Sequence, residues 1–181
     1  MGTPLITDYL PKGHWRWVAN LGAGLCASAI SEQLLNFHCD RMVNVDAFGP
    51  YLAELQRKTF VARETIFVRK DIRTWLADEL LMSGKYDIVF MIDVLEHLPK
   101  EDGITFLHEL GLIASMVLIW LPLGECPQEP YDNNPHQKHL STWVADDFKA
   151  WPLSTLHVLT AFHTHFDPPV DAAFVVINYE N

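Results

Sequence analysis

"YDIVFMIDVLEHLPKED" occupies residues 86–102. Its first part, Tyr86 to Ile92, is an almost unbroken apolar run closed by Asp93. A run this short and continuous is the mark of a strand buried on both faces of a parallel sheet. Lys100 to Ala114 then places Phe106, Leu107 and Leu110 on one side of a helix. "MVLIWL" (116–121) follows as a second buried strand, ended by Pro122. Strand, helix and strand in succession predict a parallel α/β sheet with helices on both faces.

The same alternation extends towards the N-terminus. Trp15 to Leu21 reads as a strand, followed by a glycine turn in "WVANLGAGLCAS" (17–28). Leu25 to Phe37 is expected to be a helix, with Ile30, Leu34 and Phe37 on one face. "RMVNV" (41–45) is a strand ending at Asp46, and Pro50 opens a helix in "PYLAELQRK", since proline suits a first helical turn. "TIFV" (65–68) is a strand with Asp71 beyond its end, and "IRTWLADELL" (72–81) is a helix.

Downstream, residues 122–143 are rich in Pro, Asn and Gly. They exceed the ~12–15 residues usual for a structureless connection, so they are expected to form a functional loop over a substrate site. A short helix is expected near Val144–Ala150. Two strand-like runs, 154–162 and 172–180, close the chain with no room for a helix between them, so they should pair antiparallel. Residues 1–181 are therefore expected to form a single domain.

Ligands in such sheets bind beyond the carboxyl ends of the strands. This singles out Gly22 and Gly24, Asp46, Asp71, and Asp93 onward. Gly22-Ala23-Gly24-Leu25-Cys26-Ala27 fits the dinucleotide pattern G-x-G-x-x-A, and Asp46 lies 24 positions after Gly22, close to the ~20 expected for a ribose-binding carboxylate. A nicotinamide or flavin dinucleotide and S-adenosylmethionine (SAM) both suit such a turn. An Asp after a strand also serves as a helix cap, which applies to Asp71 before "IRTWL".

Composition narrows the partners. Thirteen basic residues against twenty-three acidic ones give a net charge of −10, which repels phosphate backbones, so no nucleic-acid substrate is expected. No apolar run reaches the ~18 residues of a membrane span. The opening "MGTPLITDYLPKGHW" lacks a basic start leading into an apolar stretch, so no secretory signal is expected. Cys26, Cys39 and Cys126 are scattered and odd in number. They suggest a reducing cytoplasm rather than a disulfide framework. Glu125, Asp132, His136 and His139 have no tight ligand spacing, so no metal site is expected.

"WVANLGAG", "VNVDAF", "FVRKDIRTWL", "YDIVFMIDVLEHLPKED" and "MVLIWLPLGE" together resemble a class I SAM-dependent methyltransferase over nearly the whole chain. The resemblance implies a seven-stranded doubly wound sheet of order 3-2-1-4-5-7-6 with the last strand antiparallel. It implies SAM as cofactor, held by Asn20, Gly22, Ala23, Gly24, Asp46, Ala47, Phe48, Asp71, Ile72, Ile92, Asp93 and Val94. Asp46 would take the ribose hydroxyls, Phe48 and Ile72 the adenine faces, and Asp71 the adenine amino group. Asp93 and Val94 would lie beneath the sulfonium. Two positions depart from the family pattern, Asn20 for an acidic residue and Cys26 for a third glycine.

No second domain, no Tyr-x-x-x-Lys pair and the presence of "DVLEHL" set this family ahead of an NAD-dependent oxidoreductase. The departures at Asn20 and Cys26 keep a non-catalytic partner subunit as an alternative. For proton transfer the candidates are His97, His136 and His139, because imidazole titrates near neutral pH. A small-molecule acceptor is expected under 122–143, with a protein or peptide as next choice. Tyr9, Trp15, Tyr131 and Trp143 are the aromatic candidates for its pocket.

Overall fold

The computed structural model describes residues 3–82, 84–164 and 167–179. Seven strands form one sheet: β1 (Trp15–Leu21), β2 (Cys39–Asp46), β3 (Glu64–Arg69), β4 (Tyr86–Ile92), β5 (Ala114–Leu123), β6 (Leu153–His163) and β7 (Val170–Asn178). Their order is β3-β2-β1-β4-β5-β7-β6. β1 to β5 pair in parallel, while β7 runs antiparallel to both β5 and β6. The terminal hairpin is thus as expected, except that Glu180 and the opening Met1 and Gly2 lie outside the described residues.

Among the described residues the α-helices are α1 (Gly49–Leu55), α2 (Ile72–Met82) and α3 (Lys100–Leu110). Each starts for a local reason. Pro50 sits in the first turn of α1. The Asp71 carboxylate accepts from Arg73 N at 2.9 Å and so caps α2. Glu101 and Asp102 occupy the first turn of α3, with His108 in the last, as the helix dipole favours.

α2 and α3 cover one face of the sheet, where Trp75, Leu76, Phe106, Leu107 and Leu110 pack on Ala19, Val89, Met91, Val117 and Ile119. Residues of the opposite phase, Val18, Ile88, Phe90, Leu118 and Trp120, face Ile6, Ile30, Leu34 and Phe37 on the other side. Leu52 and Leu55 of α1 pack with Ala23 and Cys26 under the glycine turn. Side chains alternating between two such cores explain why β4 and β5 read as continuous apolar runs.

Residues 25–37 do not form the expected α-helix. The segment holds only a 3-10 turn, Ser31–Asn36. Cys26 has φ 43°, which breaks helical geometry at the start. Ser28 and Ser31 then bond one another's hydroxyls at 2.8 Å and each other's backbone N–H at 3.1 Å, and such local bonds compete with the helix ladder. Ile30, Leu34 and Phe37 are buried all the same. The apolar spacing served the core without a helix. Similarly, the expected helix near 144–150 is a 3-10 turn, Ala145–Phe148.

Pro122 does not end β5, which continues to Leu123. The β4–β5 register stops at Ile92↔Trp120, while β7 still pairs at Pro122↔Ala172. One side of the strand is therefore open where the proline stands, and no donor is missed there. Gly103 of α3 lets the Trp143 indole lie against the helix. A Cβ at 103 would meet Trp143 Cζ2 at 2.9 Å.

Candidate functional site

The tips of β1, β2 and β4 converge at the carboxyl edge of the sheet. Gly22 and Gly24 have φ +60° and +53°, left-handed values that side-chain-bearing residues rarely adopt. A Cβ on Gly22 would meet Val94 Cγ2 at 2.6 Å, so the turn is seated directly on the residue after Asp93. Asp46 fixes the turn from below: Oδ2 accepts from Gly24 N and Oδ1 from Phe48 N, both at 2.7 Å. Burial pushes its carboxyl up against the pull of these two N–H groups.

Two hollows flank this turn. One, of about 310 Å³, is lined by Gly22, Gly24, Asp46, Ala47, Asp71, Ile72, Asp93, Val94, His97 and His136. The other, of about 320 Å³, is lined by Gly22, Ala23, Gly24, Cys26, Tyr51, Ile92, Asp93, Glu96, His97, Cys126, Gln128, Tyr131 and His139. They share Gly22, Gly24, Asp93, His97 and Gln137. The segment from Asn134 to Leu140 walls the first, and Pro122 to His139 the second.

The junction is densely ionisable. Asp93 holds φ 54° at the tip of β4, an uncommon conformation for a non-glycine residue. Burial pushes its carboxyl up to about 7. Burial and the nearby Asp93 charge drive Glu96 well above its ordinary value. Burial moves His97 down to about 4, and lowers His139 as well. The two imidazoles meet edge to face, with centroids 4.8 Å apart. His97 Nδ1 donates to Lys138 O at 3.0 Å and His139 Nδ1 to Cys126 O. A carbonyl only accepts, so Nδ1 carries the proton in each ring and Nε2 the lone pair.

Ten of the twelve expected cofactor residues line one hollow or the other; Asn20 and Phe48 line neither. Asn20 is buried beneath the turn, where Nδ2 donates to Asn44 Oδ1 at 2.9 Å and to Cys26 Sγ at 3.7 Å. An uncharged carboxamide suits that enclosed position between two strands. Phe48 turns its ring edge-on to Tyr51, 4.9 Å between centroids. Asp71 lines the first hollow but is also engaged by Arg73, with side-chain contacts of 3.2 Å. Burial opposes its charge, yet the Arg73 hydrogen bonds and charge outweigh that and hold the carboxyl low.

The histidines divide. His97 stands at the junction and His139 beside it, whereas His136 faces the first hollow. Of the aromatic candidates only Tyr131 lines a hollow. Tyr9 stacks on Phe174 and Trp15 packs near Phe37, on the far face of the sheet. Trp143 is core, stacked on Phe148 and donating Nε1–H to Ser141 Oγ at 2.8 Å. Sequence reasoning passed over Glu96, Gln128 and Gln137. Glu96 lay inside the quoted "DVLEHL", but its meeting with His139 depends on the path of the 122–143 segment, which no local spacing records.

Structures with the same architecture are known. The N-methyltransferase NodS from Bradyrhizobium japonicum WM9 superposes with a TM-score of 0.58 over 92% of this chain and 86% of its own, at 13% identity. The chain has the class I methyltransferase fold. A magnesium protoporphyrin IX methyltransferase from Synechocystis PCC 6803, solved with bound SAM, shares it at TM-score 0.55 and 17% identity, covering 90% of this chain and 70% of that one. DhpI in complex with S-adenosylhomocysteine (SAH) shares it at TM-score 0.58 and 15% identity, covering 88% and 76%. No family model matches the sequence, and a search of curated proteins finds no relative. Among the described residues, no helix of this methyltransferase fold is long and apolar enough to cross a membrane.

Proposed function

We propose that the protein transfers a methyl group from SAM to a small acceptor. The observation that carries this is the meeting of two hollows at Gly22, Gly24, Asp93 and His97, on a methyltransferase fold. Structures of this fold carry SAM or SAH. The residues fit that group. Asp46 and Asp71 put carboxylates along the first hollow, and Gly24 opens towards it with no heavy atom but Gly22 O, at 3.8 Å, near its would-be Cβ.

When bound, SAM supplies a methyl group already activated on a positive sulfur. The chain's own work is to hold, orient and exclude water. Asp46 retains lone pairs for ribose hydroxyls beyond those used by Gly24 and Phe48, since a carboxylate offers about four acceptor sites. Gly22 and Gly24 allow close backbone approach. Ile72 and Val94 give apolar walls. On the other side, His97 and His139 present Nε2 lone pairs that accept hydrogen bonds from the acceptor and receive its proton. His136 stays on the cofactor side. The second hollow is within the range typical of small-ligand pockets, about 300–1,000 Å³, which favours a small acceptor over a protein or peptide. The three cysteines are free thiols, which suits a reducing cytoplasm.

The test is calorimetry with SAM, SAH and NAD on the folded chain, followed by detection of SAH formation across an acceptor panel. SAH binding without NAD binding is expected. A folded chain that takes up neither SAM nor SAH sinks the proposal, and NAD binding in their place revives the oxidoreductase.

A further inference from the structure

Glu96, His97 and His139 each offer one ligand atom, and the three atoms lie within 4.8 Å of one another. Glu96 is 2% exposed, and its Oε2 has no hydrogen-bond partner although it is fully buried. A buried carboxylate oxygen left unpaired is costly unless something else satisfies it. Glu96 itself is among the residues that line the second hollow. The hydrogen bonds of the two imidazoles set a tautomer that suits ligation. Each spends its Nδ1 proton on a backbone carbonyl, Lys138 O or Cys126 O, which leaves Nε2 as the donor. A metal-bound histidine is typically oriented by such a bond from its other nitrogen.

The backbone holds these groups in register. Glu96 O accepts from both Leu140 N at 2.8 Å and Ser141 N at 3.1 Å, which ties the 3-10 turn Leu95–His97 to the segment carrying His139. His139 N donates to Gln128 O at 3.0 Å, and Gln128 Nε2 to Gln137 O at 2.6 Å. The carboxylate and two imidazoles therefore come from two segments far apart in sequence yet cross-linked at the site.

We infer that Glu96, His97 and His139 bind a divalent first-row transition ion, with a coordination position open to the second hollow. Two imidazoles and one carboxylate suit Zn²⁺, Fe²⁺ or Co²⁺ better than Mg²⁺ or Ca²⁺, which favour all-oxygen sites. Zn–N and Zn–O bonds of about 2.0–2.2 Å bring neighbouring donors to about 3–3.5 Å, so binding draws the side chains in by the order of 1 Å. The open position takes a hydroxyl of the acceptor and orients it. With the ion bound, His97 and His139 would serve as its ligands instead of receiving the acceptor's proton; the ion would lower the pKa of the bound hydroxyl, so that its proton leaves to solvent. This role in acceptor orientation rests on the reading that the second hollow is the acceptor site; metal binding itself does not.

The experiment uses the tag-free chain, stripped with chelator and titrated with Co²⁺ and Zn²⁺ by calorimetry and visible absorption. One equivalent is expected to bind, with ligand-field bands for Co²⁺. Glu96→Gln and His139→Gln should each weaken binding at least 10-fold, while His14→Gln, remote and exposed, should not. His139→Gln lies on an irregular segment outside the sheet, so a folding failure of Glu96→Gln does not shelter the proposal. Absence of a saturable equivalent overturns it, as does parent-like affinity in a folded His139→Gln variant. SAH titration of the same stripped sample separates the two proposals. SAH uptake without metal uptake sinks the ion alone, and metal uptake without SAH uptake sinks the cofactor alone.

Discussion

The backbone N–H of Gly24 donates to Asp46 Oδ2 at 2.7 Å, so the turn after β1 is pinned to the tip of β2. Asp46 has two duties, shaping the turn and lining the first hollow. Asp46→Ala is expected to weaken SAH binding by about 10-fold or more, the loss for charge-assisted hydrogen bonds worth about 1.5–3 kcal/mol. Calorimetry on a variant with unaltered circular dichroism is the check. Parent-like affinity there removes Asp46 from the site.

Gly22 carries a second constraint on the same turn. Gly22→Ala combines a left-handed backbone with a methyl group 2.6 Å from Val94 Cγ2. The backbone part alone should cost about 1–3 kcal/mol. Denaturant titration should show this loss and more. Adding Val94→Ala relieves the contact but not the φ angle, so it should restore only part of the added loss, after allowing for the cavity cost of Val94→Ala alone. Wild-type stability in Gly22→Ala contradicts the geometry.

Asp71 makes stability depend on acid. Folding lowers its pKa, with Arg73 overcoming the opposing effect of burial. The stability it adds is complete above the unfolded value of about 3.9 and is lost as pH falls through the lower folded value. Asp71→Asn should thus be less stable than the parent at about pH 6, with the gap closing towards about pH 2. A gap that widens in acid refutes this assignment. The pair is partly exposed, so added salt should shrink the effect.

Trp143 anchors the segment that follows His139: its Nε1 donates to Ser141 Oγ and its carbonyl accepts from Gly124 N, both at 2.8 Å. It is 1% exposed, stacks on Phe148 and lies under the Lys100 ammonium, 3.9 Å from the ring centroid. Trp143→Ala should cost about 3–5 kcal/mol, in the range for a buried aromatic. Hydrogen exchange should rise first at the Leu140 and Ser141 amides, which hang on Glu96 O. Uniform exchange across the chain instead shows that the segment is not anchored this way.

The strand tips were legible from sequence because each couples a strong apolar run to a polar stop. Tyr86–Ile92 ends at Asp93 and Cys39–Asp46 closes on its own carboxylate. Residues 25–37 misled because burial of Ile30, Leu34 and Phe37 does not require an α-helix when serines bond locally. Pro122 misled because its penalty vanishes where one neighbouring strand has stopped. Asn20 was assigned to the hollow by resemblance, but its partner Asn44 lies across the strand pair. The Glu96–His97–His139 grouping was out of reach because it is made by backbone bonds across the sheet edge.

The contact between Gly103 and Trp143 has an evolutionary corollary. A Cβ at 103 would clash with the indole at 2.9 Å and press tightly on Leu95 Cδ1 at 3.2 Å. Descendants of this sequence can enlarge position 103 only after position 143 has shrunk, so the two sites should drift as a linked pair, with glycine surviving wherever tryptophan does.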